Sequence, residues 1–189
     1  MQPIQQLTQQ IKKVFSQHSA QDRPFLLLNP NDLHSLLSEH SNQALKALIT
    51  RAEKLGVLKR VCRGLYLYPA DSPTNGLLLY HAAAKLRAHE FNYISLESAL
   101  SDAGVISQIP IHWITILSSG RSYTQDCGDW GRIEFIHTKK KPEALKKQLS
   151  YDKQCGLWRA SVPLAMQDMK NTQRDLSLID WEVANEFIR

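Results

Sequence analysis

Apolar positions in the first third of the chain recur at steps of three and four. Ile4, Leu7, Ile11 and Val14 mark one amphipathic helix. Asn29-Pro30-Asn31-Asp32 reads as a helix start, with Asn29 as cap and Pro30 at the first helical position, leading into Leu33, Leu36 and Leu37. A break at Glu39-His40-Ser41 follows. Ser41 then caps a longer helix whose buried stripe is Leu45, Leu48, Ile49, Ala52 and Leu55, and Gly56 stands where a left-handed terminator belongs. After Gly56 the period falls to about two. Residues 57–61 and 65–68 are short β-type runs joined by Cys62-Arg63-Gly64, a tight hairpin connection. Helix, helix–turn–helix and basic hairpin, in that order, predict a winged helix-turn-helix.

The Pro-, Gly- and Asn-containing stretch from Pro69 to Gly76 interrupts every periodic pattern and marks a domain boundary. We therefore divide the chain into residues 1–70 and 71–189. The second part reads as a compact α/β domain, which makes the whole an α+β protein. Helices are expected from Leu77 to Ala88 and from Ser95 to Ala103, after a short strand at Tyr93-Ile94. Strands are expected at 113–117, 132–136 and 157–160. A Gly/Ser/Asp-rich connection spans Ser118 to Gly131, Pro163 opens a short helix, and an amphipathic helix from Leu178 to Ile188 closes the chain.

Charge sharpens this division. The formal charge is +5, and residues 1–70 hold nine Lys/Arg against four Asp/Glu while the remainder is balanced. The whole excess lies in the winged helix, which points to an anionic partner there, nucleic acid first of all. With the apolar stripe turned to the core, the opposite face of the third helix offers Asn42, Gln43, Lys46 and Thr50. Asn and Gln bond adenine edges, and Lys reaches guanine acceptors or phosphate. Ser41 at the helix start, Arg51 on the flank, and Lys59, Arg60 and Arg63 in the wing complete the predicted contact set for double-stranded DNA. A second basic cluster, Lys139-Lys140-Lys141 with Lys146-Lys147, reads as a solvated loop, or else as a further DNA footprint or a dock for an acidic partner.

Enzymatic readings find little support. The seven histidines show no metal-ligand spacing, although His81 and His89 are placed on one helix. Ser118 to Ser122 is a weak candidate phosphate cradle, and Asp126, Asp129 and Glu134 a remote candidate for a metal site. Cys127 lacks an activating neighbour. No catalytic residue, cofactor or metal is expected. Three widely spaced cysteines argue against a disulfide framework, and no apolar run is long enough for a membrane span. With a polar N-terminus, this leads us to expect a cytoplasmic protein with no membrane partner.

The stretch from Ser41-Asn42-Gln43-Ala44-Leu45 to Arg63-Gly64-Leu65-Tyr66 resembles the N-terminal winged helix of AbiEi-family antitoxins of type IV toxin–antitoxin (abortive infection) systems. Tyr93-Ile94-Ser95-Leu96-Glu97-Ser98-Ala99-Leu100, the Ile114-Thr115-Ile116 strand and the Ala160–Ala165 segment are similar to that family's second domain. The resemblance implies an autorepressor that binds inverted repeats in its own promoter through Asn42, Gln43, Lys46, Thr50, Lys59, Arg60 and Arg63. It also implies a C-terminal domain that counteracts a nucleotidyltransferase-like toxin without a stable complex, and no residue is assigned to that role. A solitary regulator of a mobile-element or phage-defence locus, and a protein-interaction adaptor, are the alternative readings.

Overall fold

The computed structural model describes residues 2–16, 26–68, 76–107 and 112–188. Most of the predicted 69–76 linker lies outside the described residues. The chain divides into two compact units, Met1–Gly76 and Leu77–Arg189. Among the described residues it is a mixed α+β fold with eight α-helices and two sheets.

Unit 1 runs α1 (Pro3–Ser16), β1 (Leu26–Leu28), α2 (Pro30–Leu36), α3 (Asn42–Lys54), β2 (Lys59–Cys62) and β3 (Leu65–Tyr68). Two side-chain caps set the helix starts. Asn29 and Asp32 form a reciprocal capping box before Pro30, with N–H to oxygen distances of 2.8 and 2.9 Å. Ser41 Oγ accepts from the Ala44 amide at the start of α3. Leu7, Ile11, Leu33, Leu45, Leu48, Ile49 and Ala52 meet in one core with β1, Leu58 and Tyr68. Leu55 departs from the expected stripe: it is 58% exposed. The helix ends at Lys54, and Gly56 at φ +69° reverses the chain. The Gly56 amide bonds Glu53 O and the Val57 amide bonds Ala52 O, a Schellman end that turns Leu55 outward and brings Val57 and Leu58 onto the core instead.

The hairpin β2–β3 has Gly64 in its turn at φ +77°, and an irregularity between Arg60 and Cys62. The sheet holds a third strand that the sequence reading left unassigned. β1 pairs antiparallel with β3, Leu26 opposite Tyr68 and Leu28 opposite Tyr66, giving the order β1-β3-β2.

Unit 2 is a six-stranded mixed sheet, β6-β7-β5-β4-β9-β8, with helices on both faces. In chain order its elements are α4 (Leu78–Leu86), β4 (Asn92–Ile94), α5 (Leu96–Asp102), β5 (Trp113–Ser118), β6 (Tyr123–Asp126), β7 (Arg132–His137), α6 (Pro142–Leu145), β8 (Leu149–Asp152), β9 (Leu157–Ala160), α7 (Val162–Asn171) and α8 (Trp181–Glu186). α5 and α7 lie against the face that carries Tyr93 and Thr115, and Arg87 at the end of α4 lies over Phe135 on the opposite face. The closing helix is shorter than the expected 178–188 span, because a 3-10 turn at Leu176–Leu178 and the Asp180 cap start it at Trp181. α4 ends at Leu86, so His89 does not share its helix with His81.

Candidate nucleic-acid interface

All nine predicted DNA-contact residues are exposed, while Leu45, Leu48, Ile49 and Ala52 are buried. A helix places residues four apart on one face. Asn42, Lys46 and Thr50 accordingly form a row along one wall of a cleft of about 380 Å³. Leu45 and Ile49 also line it. Pro30, Asn31 and His34 of α2 and Tyr66 of β3 complete the lining. The side chains of Asn42, Lys46, Arg51 and Arg63 have no hydrogen bond or ion pair among the described residues. Thr50 Oγ1 donates to Lys46 O at 3.0 Å, which leaves its lone pairs outward.

Ser41, Gln43 and Arg51 are outside this cleft. Ser41 is engaged as the α3 cap, which makes its first role structural. The three wing cations do not share one face. Arg60 stands opposite Tyr66 and Lys59 opposite Leu67, and successive residues of a strand point to opposite sides. Arg60 therefore shares the face of Tyr66, whose phenol is held above its ordinary value by burial and then by the Glu53 charge, with Arg60 pulling the other way. Arg60 Nε also donates to Cys62 O.

Asn31, His34 and Tyr66 escaped the sequence reading. Two signals were present: His34 is one turn after Pro30 on the outer face of α2, and Tyr66 alternates with buried Leu65 and Leu67.

Unit 2 contains a second constellation, around Asp168 on α7. This side chain is 2% exposed and accepts from Ser95 Oγ at 2.7 Å, Tyr93 OH at 3.1 Å and Lys140 Nζ at 2.6 Å. Burial, and then the Asp168 charge, push the Tyr93 phenol well above its usual range. A cleft of about 370 Å³ opens beside the network, lined by His137, Thr138, Lys139, Lys140, Asn171 and Thr172 among others. It lies at the carboxyl ends of the parallel pair β5 and β7, where Ser118 stands opposite His137. Open α/β sheets place ligands at such strand ends. Asp168 is a carboxylate on a buried helix face, beside Ala165 and Met169, and that was the sequence signal.

The weaker candidates are committed to internal contacts. In the Ser118–Ser122 connection the Ser119 amide donates to Phe91 O and the Gly120 amide to Ser118 Oγ, while Arg87 donates to Ser118 Oγ and Arg121 O. A phosphate would have to displace them. Asp126 pairs with Arg132, and Glu134 with Arg174. Cys127 is buried. Burial first, and then Asp152, push the Cys155 thiol up to about 12, far from thiolate chemistry at neutral pH. Among the described residues no helix is long and apolar enough to cross a membrane.

No family model matches the chain, and no curated protein matches it. Among solved structures it is similar to the RV2827C protein from Mycobacterium tuberculosis, with a TM-score of 0.51 at 15% sequence identity over 85% of this chain. The likeness is one of fold. The chain covers about 60% of the length of that protein.

Proposed function

We propose that unit 1 is a winged helix-turn-helix that binds double-stranded DNA in a sequence-specific way, with α3 as the recognition helix and the β2–β3 hairpin as the wing. The observation that carries this reading is the row Asn42, Lys46 and Thr50: exposed groups suited to base edges and phosphates, on a helix whose adjoining stripe is buried. Lys59, Arg60 and Arg63 supply positive charge for the backbone or minor groove from the hairpin. The resemblance to AbiEi antitoxins extends the proposal. The operator is an inverted repeat in the protein's own promoter, and unit 2 counteracts a nucleotidyltransferase-like toxin.

Titration of the full chain against its upstream region, with an unrelated duplex as control, tests the DNA reading. Lys46→Ala is expected to weaken operator binding by about 1–3 kcal/mol, and Arg63→Ala to lower the salt slope by about one. Equal, weak binding to both duplexes, unchanged by Lys46→Ala, overturns it. Co-expression with the neighbouring gene product tests the second part: growth restored by the full chain, and also by the Lys46→Ala variant, supports an antitoxin. Operator binding without rescue leaves a solitary regulator.

A further inference from the structure

Unit 2 holds fourteen Lys/Arg against thirteen Asp/Glu, a formal charge of only +1, yet its charges are unevenly engaged. Six of its carboxylates lie within ion-pair distance of four cations: Asp102 and Asp152 with Arg159, Glu97 and Glu134 with Arg174, Asp126 with Arg132, and Asp168 with Lys140. Lys139, Lys141, Lys146 and Lys147 are all exposed, and none has an ion-pair partner among the described residues. Glu143 is the single acidic residue between Lys139 and Lys147. The nearly balanced total therefore conceals a local positive surface.

Its placement is fixed from below. The buried carboxylate of Asp168 draws Lys140 inward, and in the extended backbone before α6 the neighbours Lys139 and Lys141 stay outside. Pro142 then begins a single helical turn anchored by buried Leu145, and Lys146 and Lys147 follow it. The four residues of α6 and the step to Lys146 advance about 7.5 Å, so exposed lysines flank this single turn at both ends. Lys139 also lines the cleft at the ends of β5 and β7, where His137, Asn171 and Thr172 offer hydrogen-bonding groups.

We infer that this surface binds the phosphodiester chain of a single-stranded nucleic acid. Point-charge lysines suit a phosphate backbone without reading sequence. A cleft of about 370 Å³ lined in part by Lys139 and Lys140 has room for one unstacked nucleotide, which a duplex does not offer. RNA and single-stranded DNA share this chemistry. The inference stands apart from the DNA reading proposed for unit 1, which concerns a different unit and a duplex.

The test is fluorescence anisotropy on the full chain at about 50 mM salt, with RNA and single-stranded DNA of about 20 nucleotides and an operator-free duplex as probes. Combined Lys141→Glu, Lys146→Glu and Lys147→Glu is expected to weaken single-strand binding at least tenfold. It should also make the salt slope shallower by about two, from three lost phosphate contacts at roughly 0.7 each. The milder pair Lys146→Gln and Lys147→Gln, with an unchanged tryptophan spectrum, should show a smaller loss in the same direction. Tighter binding of RNA than of DNA, or the reverse, identifies the source of the strand. The inference is overturned if the variants keep the parent affinity for single strands, if they weaken duplex binding as much as single-strand binding, or if polyglutamate competes as well as RNA.

Discussion

Gly131 holds the turn before β7 at φ +112° and ψ −147°, a region open essentially to glycine. A Cβ there would stand 2.0 Å from the carbonyl oxygen of His112, which is backbone and accepts from the Arg132 amide. Gly131→Ala should therefore destabilise unit 2 by about 3 kcal/mol, combining backbone strain with the clash. Urea denaturation followed by tryptophan fluorescence measures this, and a loss below about 1 kcal/mol would refute the account. Asp152 gives a pH prediction. Burial alone would raise its pKa, but the Arg159 guanidinium and the Cys155 amide hold it below the ordinary value of 3.8. The folded chain thus binds this proton less tightly than the unfolded chain. The contribution is complete above the unfolded value and is lost as pH falls through the folded one. Asp152→Asn should therefore cost stability at neutral pH and lose less on acidification below about pH 4 than the parent does.

At the scale of the element, helix ends were readable because their chemistry is local. Asn29, Ser41 and Gly56 are capping and terminating residues in the sequence and in the structure. Ser41→Ala should cost about 1 kcal/mol in thermal or urea unfolding of unit 1, and Ser41→Asp should restore most of it, since Asp caps as well as Ser. Central strands were also readable: β5 is a largely apolar run buried almost throughout, and β7 alternates buried Ile133 and Phe135 with less buried neighbours. The outer strands β6 and β8 were not. Their sequences, Tyr-Thr-Gln-Asp and Leu-Ser-Tyr-Asp, have no residue classed as buried, so no apolar alternation betrays them. β1 failed for the opposite reason, because three consecutive leucines have no period to read. The exposed row Asn42, Lys46 and Thr50 on α3 followed directly from helical periodicity. Its cleft did not, because Tyr66 and His34 reach it through tertiary placement.

At the scale of the whole molecule, the two units can be observed separately. All four tryptophans, Trp113, Trp130, Trp158 and Trp181, belong to unit 2. Leu45 is buried in the core of unit 1. Leu45→Ala should destabilise unit 1 by about 2–4 kcal/mol and lower the first loss of helical circular dichroism on heating. The midpoint followed by tryptophan fluorescence should not move. A matching shift in both signals would mean that the units unfold as one.

The order in which the sheet of unit 2 is assembled has a consequence for synthesis. β4 lies between β5 and β9, and its partner Trp158 is 65 positions beyond Tyr93. The three donors that satisfy Asp168 are all made before it, Tyr93 by 75 residues and Lys140 by 28. A nascent chain can thus complete the helices and hairpin of unit 1 while unit 2 still has an open strand edge at its centre and a lysine with no carboxylate to draw it in. Truncation after Lys140 and before β9 would freeze the molecule in that state, with a folded first unit joined to a second one prone to pair with its neighbours.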